Sequence, residues 1–175
     1  ALLRDADGEV MRAAAWRLRT ARVALDPALA AEPPGHGPET GEPRDFFPTG
    51  ADVGYHTAME YRFVAGAFLD LGPAVVWMRK RHPLVEGEEP TPLQRVLVAA
   101  DSGNGVSASL DYHRFVFINT DLTVHLHRGP ETEWVCLDAA TRLDSAGVGM
   151  SDTLLWDERG RIGRAAQTLL VRERV

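Results

Sequence analysis

The sequence predicts an α+β protein in which an antiparallel sheet wraps around a single helix. Three observations predict it. Apolar residues recur at helical spacing in one stretch, Leu93, Val96, Leu97 and Ala100, which gives one buried helical face. Several stretches alternate apolar and polar residues with the period of a strand. The order is strand, strand, helix, then four strands read as a meander, and a lone apolar helix among antiparallel strands is buried only if the sheet curls over it.

Each element follows from local signals. ALLRDADGEVMRAAAWRLRT reads as a hairpin about Asp7-Gly8, a turn dipeptide, although the Ala and Arg content of Val10 to Thr20 also suits a helix. Residues 21–52 are rich in Pro, Gly and Glu and read as a linker, with one helical turn near Pro27 to Ala31. A linker this long after one hairpin is unusual within a compact domain. The expected organisation is therefore a terminal hairpin over 1–20, a linker over 21–52 and a domain over 53–175. YHTAMEYRFVAG and AVVWMRKRHPLV read as strands, the second stopped by Pro83. Thr91 followed by Pro92 is a helix start, with Thr as N-cap and Pro at the first helical position. SGNGVSA is read as a loop or frayed continuation. FVFINTDLTVHLHR, EWVCLDAATRLD, GMSDTLLWDERG and RIGRAAQTLLVRERV are strands, the last two joined by a turn at Glu158-Arg159-Gly160.

Composition narrows the function classes. The chain has 175 residues, 45% hydrophobic, with a net charge of −6, enough apolar content for a packed core. The negative charge and the lack of a basic block argue against nucleic-acid binding. One cysteine, Cys136, excludes an intramolecular disulfide and a cysteine zinc cluster. No apolar run reaches the roughly 20 residues of a membrane helix, and no leader-like segment opens the sequence. A soluble, cytoplasmic protein is expected. Cys136 lies in an apolar strand and reads as core. GVGMSD is not a nucleophile elbow, and DSGNG lacks the lysine of a phosphate loop. Trp16, Trp77, Trp134 and Trp156 read as packing residues. Arg79, Lys80 and Arg81 can meet a phosphate, but read as a solvated strand end.

The stretch Phe115 to Arg128 is unusual. Its alternation sets Val116, Ile118, Leu122, Val124 and Leu126 on one side and Asn119, Asp121, Thr123, His125 and His127 on the other. The polar side carries no Lys or Glu. A metal site is disfavoured, because same-face residues lie about 7 Å apart along a strand and the pattern names no third ligand. The plainer reading is that these residues hydrogen-bond across a subunit or domain seam.

LQRVLVAADSGNG, FINTDLTVHLHRGP, WVCLDAATRLDSAGVG and GRAAQTLLVR, in this order, resemble the hotdog fold, in particular the type II (TesB-like) double-hotdog acyl-CoA thioesterases. The resemblance covers about Val53 to Val175. It implies that this domain is the second unit of a double hotdog, with the first represented by its last hairpin or supplied by another chain. It also implies hydrolysis of an acyl-CoA substrate without metal or organic cofactor, and pairing with a first hotdog unit or a homo-oligomer. The family's water-binding Asp, Thr and Gln fall on Asp101, Asn119 and Gln167, so Asn119 departs from the pattern. Thr120 is the fallback, reachable if a one-residue bulge turns it round. Independently of the family, Asp101 ends an apolar helix, where the carbonyl end of the helix dipole disfavours negative charge and favours proton uptake. The alternative to an enzyme is a non-catalytic acyl-thioester binding or assembly module. A hydratase is disfavoured, since the hydratase pattern wants an Asp and a His at the helix and SGNGVSA has no His.

Overall fold

The computed structural model describes residues 1–29 and 35–174. The chain divides into two compact units, Ala1–Ala30 and Ala31–Val175. In the first, β1 (Leu2–Asp5) and β2 (Gly8–Arg12) form an antiparallel hairpin. Asp5 Oδ1 accepts from the N–H groups of Asp7 and Gly8, and Gly8 holds φ at +139°, which favours glycine. The helix considered for Val10 to Thr20 does not form; β2 ends at Arg12. Trp16, expected to pack, is 97% exposed. The expected turn appears as a 3₁₀ turn at Pro27–Leu29, and Ala30 and Ala31 lie outside the described residues.

In the second unit, α1 (Tyr55–Ala58) precedes β3 (Met59–Ala65), so YHTA opens the expected strand as a helical turn. Then come β4 (Ala74–Lys80), α2 (Pro92–Ala100), α3 (Gly103–Val106), β5 (Phe115–Asn119), β6 (Thr123–Leu126), β7 (Val135–Asp144), β8 (Val148–Asp157) and β9 (Gly160–Glu173). The expected start of α2 is present as a capping box: Thr91 accepts from Gln94 N and Gln94 Oε1 accepts from Thr91 N, satisfying two N–H groups that the helix cannot. Of the two readings of SGNGVSA, the continuation and not the loop holds: it contributes α3 directly after α2.

The seven-stranded sheet runs β3-β4-β7-β8-β9-β5, with β6 also on β9. The four-strand meander is therefore corrected to three strands, β7 to β9. The FVFINTDLTVHLHR segment crosses over to pair with the last strand instead. One face of the sheet holds the helices: Met59, Phe63, Val76, Met78, Leu137, Leu155 and Ala165 bury against Val96, Ala99, Ala100 and Val106. The sheet thus curls about the α2–α3 segment, which is the hotdog architecture. No helix among the described residues is long and apolar enough to cross a membrane.

The stretch read as a linker packs on the sheet over its second half. Glu42 bridges Phe63, and the Phe46 ring lies 4.4 Å from that of Phe68, centroid to centroid. On the face away from α2, Trp77, Trp134 and Cys136 form a smaller core, where Trp77 Nε1 donates to His36 Nδ1 at 3.3 Å. Burial pushes the Cys136 thiol up, consistent with a packing residue and not a nucleophile.

The unusual strand is two strands with a bulge. Asn119 pairs with Leu169, but Thr123 pairs with Ala166. Four steps along one strand meet three along the other, so one residue is extra. The extra residue reverses which side chains face inward. Before it, Asn119 turns toward the helix; after it, Leu122, Val124 and Leu126 pack on the core while Thr123, His125 and His127 are exposed. The polar side read as one face is therefore split between the two faces of the sheet.

Candidate functional site

Three elements meet at the C-terminal end of α2. Asp101 is its C-cap residue. Asn119, the last residue of β5, donates from Nδ2 to Asp101 Oδ1 at 3.0 Å. Gln167, in the middle of β9 and 2% exposed, donates from Nε2 to the Asp101 backbone oxygen at 3.0 Å and to Oδ1 at 3.4 Å. Its Oε1 accepts from Asn104 N at 3.0 Å. The carboxamide of Gln167 therefore ties the end of α2 to the start of α3. Asp101 itself is exposed. Thr120 points away: its Oγ1 donates to the Thr168 oxygen at 3.2 Å. The bulge lies beyond Asn119, so it does not bring Thr120 to the site.

A polar layer supports this triangle. Ser151, Thr153 and Gln167 are buried on the inner face of the sheet, with Ser151 Oγ lacking a partner among the described residues. Ser107 donates to the Gly103 oxygen at 2.8 Å and shares a hydrogen bond with Thr141 at 2.8 Å. On the other side of Asp101, the Tyr55 hydroxyl donates to the Val98 oxygen at 2.9 Å and lies 2.8 Å from Ser102 Oγ. Burial, opposed by the Ser102 hydrogen bond and reinforced by the Asp101 charge, pushes the Tyr55 phenol up to about 12. It is thus a neutral donor at ordinary pH. The sequence reading missed Tyr55, Gly103, Asn104, Ser151 and Thr153. A signal existed for the last two: Ser151 and Thr153 are polar residues two apart in a strand, on the face that continues to the buried Leu155.

Gly103 permits this packing. A Cβ there would stand 2.6 Å from Thr153 Oγ1 and 3.0 Å from Gln167 Oε1. Both neighbours are short or pinned and cannot swing clear. Gly103→Ala, normally neutral to favourable in a helix, is expected to cost about 1–3 kcal/mol. Urea unfolding checks this; an unchanged or raised midpoint would show that the polar layer yields easily.

Two further polar residues of the segment, Asp121 and Arg128, make internal hydrogen bonds. Asp121 Oδ1 accepts from Thr168 N at 3.3 Å. Arg128 makes a two-pronged pair with buried Asp157, at 2.6 and 2.8 Å. No group of three or more His, Cys, Asp or Glu among the described residues is placed to hold a metal ion.

A curled antiparallel sheet around one central helix defines a hotdog domain. The chain belongs to the acyl-CoA thioesterase C-terminal domain family, whose model matches residues 31–171. That match begins upstream of Val53 and takes in the packed segment around Phe46. Among solved structures, the chain is similar to the acyl-CoA thioesterase II TesB2 of Mycobacterium marinum (TM-score 0.58, 16% identity, 89% of this chain and 60% of that one). It is also similar to a putative thioesterase II of Thermobifida fusca (TM-score 0.61, 17% identity, 85% and 57%). A third is a putative thioesterase of Novosphingobium aromaticivorans (TM-score 0.59, 20% identity, 87% and 58%). The chain spans about 60% of the length of these three proteins. No curated protein matches it.

Proposed function

We propose that this chain carries the water-activating site of an acyl-CoA thioesterase, which converts a CoA thioester and water to a carboxylic acid and CoA. One observation carries the reading: the side-chain amides of Asn119 and Gln167 both donate to Oδ1 of Asp101. Those two bonds orient the carboxylate and leave Oδ2 as the lone-pair acceptor for a proton from water. The Asn119 carbonyl oxygen can accept the second water proton. The water oxygen then attacks the thioester carbonyl carbon, Asp101 takes the proton, and the C–S bond breaks with the thiolate leaving and collecting that proton. No metal or organic cofactor enters these steps.

A second unit completing the groove is part of the reading, whether a first hotdog unit or another copy. Its support is an apolar patch on the outer face of the sheet, where Ile118, Val148 and Met150 are 53%, 52% and 43% exposed. Ile118 and Val148 flank Leu170 in register. An exposed apolar patch of this kind suits a surface that a second unit covers. A cytoplasmic setting remains part of the proposal.

The second reading is an acyl-thioester binding module without hydrolysis. It is favoured by Asn119 standing where the family has a hydroxyl residue. Release of free thiol from short, medium and long acyl-CoAs separates the two. Turnover on any chain length supports hydrolysis. Tight acyl-CoA binding with no thiol release would leave the binding module.

A further inference from the structure

A second polar site lies at the other end of α2. A cavity of about 350 Å³ opens between the end of β4, the loop that follows it and the first turn of α2. Lys80, the sole lysine of the chain, is on the helix side of β4 and half-buried. Its Nζ is buried and has no hydrogen-bond partner among the described residues, and the same holds for Nε of Arg95 across from it. Both side chains line the cavity. This corrects the expectation of a solvated strand end. Only Arg81, exposed at the rim, fits it; Arg79, which also lines the cavity, is engaged by Glu60 at 2.7 Å and Glu133 at 3.6 Å.

Two adjacent cations without a counter-charge are costly to bury. Burial, and the Arg95 charge beside it, hold the Lys80 ammonium below the ordinary lysine range. The Glu133 carboxylate, which also lines the cavity, is paired with Arg79 at 3.6 Å. Glu88 and Glu89 also line the cavity, but they are exposed on the loop. The first turn of α2 adds the positive end of a helix dipole on the same side.

We propose that this cavity is an anion site that takes a phosphate or pyrophosphate group between the Lys80 ammonium and the Arg95 guanidinium. Arg supplies a planar fork suited to phosphate oxygens and Lys a point charge. Such a group can come from free phosphate or pyrophosphate, or from the nucleotide end of a CoA thioester. The second source rests on the thioesterase reading; the anion site itself does not.

The test is calorimetric titration of the chain at low salt with inorganic phosphate, pyrophosphate, adenosine 3′,5′-bisphosphate and CoA. Pyrophosphate is expected to bind, and Lys80→Met and Arg95→Met to weaken it by at least about tenfold each. The double change Glu88→Gln with Glu89→Gln is expected to tighten it, a check that does not depend on the cation variants folding. Circular dichroism establishes that each variant is folded. No pyrophosphate binding at millimolar concentration, or binding unchanged in both cation variants, overturns the proposal. CoA or the bisphosphate binding at least about tenfold tighter than pyrophosphate would assign the site to the substrate's nucleotide end; equal affinity would assign it to free phosphate. If thiol is released, Lys80→Met should raise KM for acyl-CoA while leaving kcat and the KM of the matching acyl-pantetheine unchanged. Absence of hydrolysis leaves the inorganic titrations decisive.

Discussion

Asp101→Ala is expected to lower thiol release from acyl-CoA by about 10²–10⁴-fold, the range in which a positioned general base contributes. The carboxylate is the group that can take the water proton, and Asn119 and Gln167 donate to it from two different strands. Removing it also strips the acceptor of Asn119, so on the proposed mechanism the water loses its base and its geometry together. The loss should fall on kcat, because Asp101 is the C-cap of a helix and reaches solvent without forming part of the apolar core. Asp101→Asn sharpens the test. It retains the size of the side chain and an oxygen for one donor, but cannot accept the proton at neutral pH. A fall comparable to that of the Ala variant would assign the effect to proton transfer. Full turnover in either variant, with the fold intact, would remove Asp101 from the mechanism. Stability should change little in both, since the exposed carboxylate buries no charge.

Asp157→Ala is expected to have the largest effect on stability, about 3–5 kcal/mol, as for removal of one partner from a buried ion pair. The Asp157 side chain is fully buried and Arg128 is 25% exposed. Besides the two-pronged bond to Arg128, the carboxylate accepts from Glu131 N and Arg159 N, each at 2.9 Å. The variant leaves two N–H groups without their acceptor and leaves the guanidinium with only the Gly129 and Gly160 oxygens and Glu131. Burial works to raise the Asp157 carboxyl, but Arg128 and the two backbone N–H groups outweigh it and hold it below its ordinary value of 3.8. A carboxyl held low in the folded state stabilises fully above its unfolded value. That contribution fades as pH falls from there through the lowered folded value. The gap between wild type and variant should therefore be constant near neutral pH and narrow only below about pH 4. Urea midpoints measured across that range check both size and sign. A neutral-pH difference under about 1 kcal/mol would mean that the pair is no better than a surface bridge.

Much of this molecule is visible residue by residue. Thr91-Pro92 and Gln94 announce the start of the helix because capping is a local affair of four residues. Strands β7, β8 and β9 show their period, and Glu158-Arg159-Gly160 shows the turn between the last two. Asp101 and Gln167 could be named, but only by resemblance to a family; nothing in the spacing of two residues so far apart states that they touch.

The sequence alone determined the fold class and the position of the central helix. These depend on hydrophobic period and on capping, which act over a few residues. The tertiary structure decided the pairing of FVFINTDLTVHLHR with β9, since strand order is set by packing across the sheet and not by alternation. It decided the bulge after Asn119, which sends that amide inward and the two histidines outward; a single extra residue reverses every later side chain, and the alternation reads the same on either side of it. It decided that Phe46 and Phe47 join the core despite their Pro- and Gly-rich surroundings. It also decided that Lys80 turns toward Arg95 instead of into solvent, because the inward side of β4 carries on to the strand's last residue, under the first turn of the helix.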